Sequence, residues 1–237
     1  MSLDAEVLQC AKLSSYLQNT DTACEHIVEL YNQPAEYVVD RTVIHLLDGI
    51  KSGQDAKAVV IESRSVADPE LHQVTIVFRG SGIVSKELWV MNQNSMAETL
   101  RLQATPGSSS LNVLIHGGLL RMYNSLRADI QTILKNCPPR TRVTMTGFGT
   151  GGGLARIATL ECGWMNYMNP YQVNFPFRVV TFATPSFSRS DFPNLLSQIN
   201  IKGDNDIHLT GILDPVTRWN FSPRTVSWII PPGGMMT

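Results

Sequence analysis

Residues 147–153 read GFGTGGG and lie between a short β-branched run, Arg142–Thr146, and an amphipathic stretch. A glycine cluster between a strand and a helix serves either of two chemistries. As GxGxxG, with Gly147, Gly149 and Gly152, it lets a pyrophosphate approach a helix N-terminus, the device of a nucleotide-binding domain. That reading also needs an acidic residue about 20 positions further on, at the end of the next strand. The next strand-like run, RVVTFATP, carries none, and Glu161 falls inside the intervening helix. As GxSxG the cluster is a nucleophile elbow, the sharp turn that displays a catalytic serine, and the serine position is Gly149. Such a turn holds its central residue in a strained conformation, with positive φ expected, which glycine adopts without the penalty of a side chain.

Other chemistry is poorly represented. The histidines, at 26, 45, 72, 116 and 208, have no metal-ligand spacing, and neither an HExxH motif nor a carboxylate cluster occurs. We therefore expect neither a metal nor a cofactor. The cysteines at 10, 24, 137 and 162 lack the CxxC spacing of zinc or redox sites and read as free thiols in a reducing compartment. A net charge of −1 gives no electrostatic footprint for nucleic acid. The densest basic set, Arg121, Arg127, Lys135, Arg140 and Arg142, reads as a solvated helix face. The N-terminal segment MSLDAEVLQCAKLSSYL lacks the layout of a signal peptide, and no apolar run reaches the length of a membrane span. These features predict a soluble, intracellular, most simply cytoplasmic chain without a transmembrane segment.

The elements that must position the glycine cluster follow from periodicity. Residues 4–19 carry a rough helical stripe, and a second helix is expected over Thr22–Tyr31, ending before Pro34. KAVVIES (57–63) and QVTIVFR (73–79) predict an antiparallel hairpin. The stretch 83–112 is ambiguous, with a helix expected around Lys86–Asn92 and a loop around Pro106–Ser110. From His116 to Cys137, three-and-four spacing of Leu119, Leu120, Tyr123, Leu126, Ile130 and Ile133 predicts a helix closed by Pro138-Pro139. Arg142–Thr146, Phe177–Ala183 and Ile207–Leu213 predict strands, with a helix from about Leu154 to Tyr167. Strands alternating with helices in this order argue for parallel crossovers and an α/β sheet, in one domain over residues 1–237.

Six segments, in order, resemble the lipase class 3 family. TMTGFGTGGGLA (144–155) is similar to the family signature in which a strand enters GHSLGGALA. Gly147, Gly151, Gly152, Leu154 and Ala155 match, Phe148 stands at the histidine and Gly149 at the nucleophile. AKLSSYL (11–17) resembles the N-terminal helix, and TIVFRGS (75–81) the strand and turn that supply an oxyanion residue, here Ser81. Trp89 falls where the family often keeps a tryptophan. IHGGLLRMY (115–123) resembles the VHxGF-type helix entry, VVTFATP (179–185) resembles TFGSP, and LDPVTRW (213–219) resembles the segment around the triad aspartate, here Asp214. The resemblance implies an α/β-hydrolase-like fold with a mainly parallel central sheet flanked by helices.

It also implies what is missing. A serine esterase needs a hydroxyl, a histidine to take its proton and an acid to orient that histidine, the histidine following the acid in chain order. Gly149 has no side chain and no histidine follows Asp214. No catalytic set is intact; Gly149 and Asp214 are vestigial positions, with Ser81 and the Thr150 backbone N–H as oxyanion-like donors. Ser81 reads first as a turn cap after Gly80, and Asp214, before Pro215, reads equally as an Asx turn. His116 and His208 read as structural. The expected function is a catalytically inactive lipase-like protein that works as a binding or scaffold module. Lipase-like plant defence regulators, which act through partner binding, set the analogy for a protein partner, and the apolar pocket of the fold suggests a lipid or acyl ligand. The alternatives are an active esterase with an unconventional nucleophile, or with a histidine supplied by another chain or a segment beyond Thr237, and a nucleotide-binding domain using GxGxxG.

Overall fold

The β-branched runs form the centre of a sheet because their alternate side chains meet two covered faces. The computed structural model describes residues 3–17, 39–48, 56–65, 70–80, 97–103, 110–139, 141–168, 175–184, 188, 192–211 and 227–230. Nine strands lie there: β1 (Val39–Asp48), β2 (Lys57–Ser65), β3 (His72–Phe78), β4 (Ala97–Gln103), β5 (Ser110–His116), β6 (Arg142–Phe148), β7 (Phe177–Phe182), β8 (Asp206–Gly211) and β9 (Ser227–Ile230). The helices are α1 (Leu3–Tyr16), α2 (Gly117–Asn136), α3 (Thr150–Met168) and the short α4 (Phe192–Gln198).

The main sheet has the order β1-β2-β3-β6-β7-β8-β9. Its first two pairings are antiparallel, Ile44 opposite Ile61 and Val60 opposite Ile76. The remaining four are parallel, beginning with Ile76 beside Met145. The expected hairpin over 57–79 is therefore present, and the sheet is of the mainly parallel, helix-flanked α/β-hydrolase kind. Ala58, Val60, Val74, Ile76, Phe78, Val143, Met145 and Val179 point into the large core beneath α2 and α3. Val59, Ile61 and Val77 turn to the other face and meet Leu13 and Leu17 at the end of α1. Further along, Val180, Phe182 and Leu209 meet Cys10 of the same helix. Burial on both faces explains why these strands read as near-continuous apolar runs.

Several elements depart from the sequence reading. β1, β9 and the short α4 have no counterpart in it. The ambiguous stretch ends in a β4–β5 hairpin, with Leu100 opposite Val113 and Leu102 opposite Leu111, whose Leu100, Leu102, Val113 and Ile115 join the core. The loop expected to Ser110 gives way at Ser110 itself, where β5 begins. Finally, α3 starts at Thr150 rather than near Leu154. Glycines 151–153 have low intrinsic helix propensity, and tertiary packing overrides it. The helices expected at Thr22–Tyr31 and Lys86–Asn92 lie outside the described residues.

α3 is buried from Thr150 through Gly163, on all sides and not along one stripe. It contains a carboxylate, Glu161, that is 2% exposed. Tyr123 Oη donates to Glu161 at 2.5 Å, Arg127 Nε at 2.9 Å and Gln131 Nε2 at 3.3 Å, all from α2. Arg127 and Arg121 lie on the exposed face expected of them, Arg127 reaching the buried Glu161 carboxylate from there and Arg121 pairing with Glu98 at 2.8 Å. A second buried pair joins Arg156 of α3 to Asp206 of β8 at 3.0 Å, with the guanidinium 5.5 Å from the Phe192 ring centroid. Removing Glu161 leaves the buried Tyr123 hydroxyl without its acceptor. Glu161→Ala should therefore destabilise the chain by about 2 kcal/mol in urea unfolding. An unchanged midpoint would show that the α2–α3 contact does not depend on this carboxylate.

Candidate functional site

The glycine cluster sits where β3, β6 and β7 end and α3 begins. β6 finishes at Phe148, Gly149 makes the turn with φ +56°, and α3 starts at Thr150. That φ lies in the left-handed region, where a side chain is disfavoured by roughly 1–2 kcal/mol. The Gly149 N–H donates to the Phe182 carbonyl at 2.8 Å, and the Gly153 N–H donates to the Gly149 carbonyl at 3.3 Å. The turn is thereby tied to β7 on one side and to α3 on the other.

The neighbouring glycines answer to space instead. A Cβ on Gly151 would lie 2.4 Å from the Phe78 carbonyl oxygen, and one on Gly147 would lie 2.4 Å from the Gly151 carbonyl carbon. A Cβ on Gly80, just past β3, would meet the Phe148 carbonyl oxygen at 2.3 Å. One on Gly152 would meet Thr184 Oγ1 at 2.1 Å. These residues let helix and strand backbones touch. Gly149 is different: no described atom lies within 4 Å of where its Cβ would stand.

Several expected site residues therefore come together: Gly147, Gly149, Thr150, Gly151 and Gly152. Thr150 is buried. Ser81 and Asp214 lie outside the described residues, as does Trp89. Two participants were not singled out from the sequence, Gly80 and the β7 end. There Ala183 has φ +48°, at the position that is glycine in the TFGSP pattern, and the Thr184 hydroxyl is buried without a hydrogen-bond partner. The motif match at 179–185 was the available signal, since a TFATP segment ending beside the turn must pack against it.

Four histidines lie among the described residues, at 45, 72, 116 and 208. His116 closes β5 directly before α2, and burial lowers its pKa. Its Nδ1 is buried without a partner. His208 is buried on β8 with Nδ1 2.9 Å from Thr181 Oγ1. Its pKa is lowered to about 4, chiefly by burial and secondarily by the Arg156 charge. Towards the antiparallel edge of the sheet, His72 Nδ1 lies 2.9 Å from Thr141 Oγ1, and His45 Nε2 lies 3.0 Å from Glu62 Oε1. No group of three or more His, Cys, Asp or Glu among the described residues is arranged to hold a metal ion, and no helix there is long and apolar enough to cross a membrane.

With this geometry in place, the profile of the lipase (class 3) family matches residues 75–222. The chain belongs to the class 3 lipase family. Its fold is similar to that of M37 lipase, with a TM-score of 0.63 at 16% identity over 90% of this chain and 68% of that one. It is also similar to a deletion mutant of the Rhizomucor miehei lipase propeptide complex, with a TM-score of 0.50 at 18% identity over 94% of this chain and 67% of the other. The native form of that complex is covered over 62% of its length. No curated protein is matched by sequence. The strand–glycine–helix turn lies inside the matched span, and Gly147 and Gly151 there serve helix-to-strand packing.

Two measurements check this account. Gly151→Ala should cost about 3 kcal/mol, because a Cβ there meets main chain that must shift. Gly149→Ala should cost only about 1 kcal/mol, from backbone conformation alone. Equal losses in urea unfolding would contradict the packing described. For His208 the folded-state pKa is below the unfolded value, so its contribution to stability is present above about 6.5 and is lost as pH falls through about 4. Stability should decline across that window by up to roughly 1.4 kcal/mol per pH unit from this group. His208→Asn should flatten the decline, and an identical pH profile for the variant would assign it to other groups.

Proposed function

We propose that this chain is a class 3 lipase frame that does not hydrolyse esters and works by binding. The observation that carries the reading is Gly149, which occupies the apex of the elbow at φ +56° and offers no atom beyond its backbone. An acyl-enzyme requires a nucleophilic side chain at that apex, and truncating the nucleophile of a triad costs on the order of 10⁶ in turnover. What the frame retains is a rigid turn, the amino end of a long buried helix and exposed apolar surface at Phe148, which is 39% exposed. Those are features of a binding site. Its ligands, on this reading, are a lipid or acyl chain at the former catalytic turn and a protein partner on the outer surface. The chain acts as a soluble intracellular module.

Purified protein should release no nitrophenol from short- or long-chain nitrophenyl esters above buffer, and Asp214→Ala should behave identically. Turnover in the unmodified chain that disappears in Asp214→Ala would overturn the proposal and establish an active esterase with an unconventional nucleophile.

A further inference from the structure

α1 meets the sheet through a face that mixes polar and apolar side chains. Its inward positions are Glu6, Cys10, Leu13 and Ser14, three and four residues apart on one side of the helix, with Leu17 just past its end. Leu13 and Leu17 meet Val59, Ile61 and Val77. The other contacts include a polar seam. Ser14 Oγ lies 3.2 Å from Thr146 Oγ1, Thr144 Oγ1 donates to Glu6 Oε1 at 3.2 Å, and Arg178 of β7 pairs with Glu6. The seam follows from β6. Val143 and Met145 enter the core beneath α2 and α3, whereas Thr144 and Thr146 turn to α1. A parallel strand covered on both faces is expected to be apolar on both. β6 is apolar on one.

Such a seat holds a helix less firmly than an apolar one. Exposing apolar side chains carries the full cost of hydrating them, whereas water takes over the hydrogen bonds of Thr144, Thr146, Ser14 and Glu6 at small net cost. Within α1, Cys10, Leu13 and Ser14 are the buried positions among the described residues, whereas α3 is buried without a break from Thr150 to Gly163. Elements with few buried apolar contacts open at lower free energy than the whole domain.

The same helix reaches the glycine turn at one remove. Cys10 forms a cluster with Val180 and Phe182 of β7 and Leu209 of β8. The Phe182 carbonyl accepts the Gly149 N–H at 2.8 Å, and the Ala183 N–H donates to the Leu209 carbonyl at 2.7 Å. The strand ends that α1 covers are therefore the ones that hold the turn and each other.

We propose that α1 is a latch on the glycine turn. Docked, it clamps the ends of β7 and β8 and with them the bond from Gly149 to Phe182. It lifts off as a unit while α2, α3 and the sheet stay folded, and the turn is then released. The Glu6–Arg178 pair and the Ser14–Thr146 contact set its register. The latch concerns how firmly the turn is held, so it stands whether or not the chain hydrolyses esters.

Native-state hydrogen exchange of the full chain, followed residue by residue by NMR in low urea, tests the latch. Amides from Cys10 to Ser14 should exchange at least tenfold faster than those of Leu126 and Leu160 in the core, with a shallower urea dependence, because less surface is exposed. The Gly149 amide should follow α1 in both respects. Glu6→Gln and, from the sheet side, Arg178→Gln should each speed α1 and Gly149 by one common factor of at least fivefold, and Lys12→Ala on the exposed face of α1 should change neither. Iodoacetamide labelling mapped by mass spectrometry reads the same opening through the two buried thiols: Cys10 should react at least tenfold faster than Cys162. If α1 shares the rate and urea dependence of Leu126, or Cys10 and Cys162 react together, the helix leaves only with global unfolding and the latch is overturned. If the variants speed α1 and leave Gly149 unchanged, the link to the turn is overturned. Should a variant fail to fold, the urea dependence and thiol rates of the unmodified chain decide alone.

Discussion

The structure depends on main chain packed directly against main chain at the junction of β3, β6 and α3. Gly151 brings the helix onto the carbonyls of Phe78 and Arg79, Gly147 brings the strand onto the helix, and Gly80 lets the chain leaving β3 pass beneath Phe148. None of these contacts survives the addition of one carbon, because the opposing atoms are backbone and cannot rotate away. α3 can therefore lie low enough over the sheet to be buried on every side. The position of the turn at Gly149 follows from that approach. A helix seated one side-chain radius higher would break both its tie to Phe182 and its own first hydrogen bond.

Burial on every side has an electrostatic consequence. A helix in the centre of a domain has no solvent face for polar residues, yet α3 carries Arg156 and Glu161. Each is answered by a partner on a different neighbour, Asp206 on β8 and the Tyr123–Arg127–Gln131 set on α2. Buried pairs of this kind add less stability than hydrophobic replacements of the same volume often would. Their geometry constrains register. One pair ties the helix laterally to the parallel end of the sheet and the other ties it to the packing helix beside it. Together with the glycine contacts they fix both the height and the rotation of α3, and hence the direction in which its amino end points.

Much of this arrangement is legible in the chain itself. The parallel strands declare themselves as β-branched runs, and the α2 stripe is bounded by His116 and Pro138-Pro139. The β4–β5 hairpin is harder to see, because AETLRLQ alternates only through Leu100 and Leu102, and its partner begins in a serine run that reads as loop. The start of α3 is hidden because local propensity argues against helix at three successive glycines, and only the contacts of Gly151 with β3 and of Gly152 with Thr184 reverse that preference. The pairing of Arg127 with Glu161 is equally hidden: nothing in a basic helix face reveals a buried carboxylate one helix away. The paired roles of Ala183 and Thr184 require three dimensions, since a positive φ at alanine leaves no trace in sequence periodicity.

Gly149 differs in kind from the glycines around it. For Gly80, Gly147 and Gly151 the space is already taken, so glycine is imposed by the fold and would be required whether or not the protein did any chemistry. At Gly149 the space is open and only the backbone angle speaks for glycine. A left-handed φ costs a side chain roughly 1–2 kcal/mol, a strain that a functional residue justifies and an idle one does not. The fold therefore tolerates a side chain at this apex but does not ask for one. Glycine there frees the turn of that strain, while the Gly149 bond to the Phe182 carbonyl keeps the helix end and the β7 end in register.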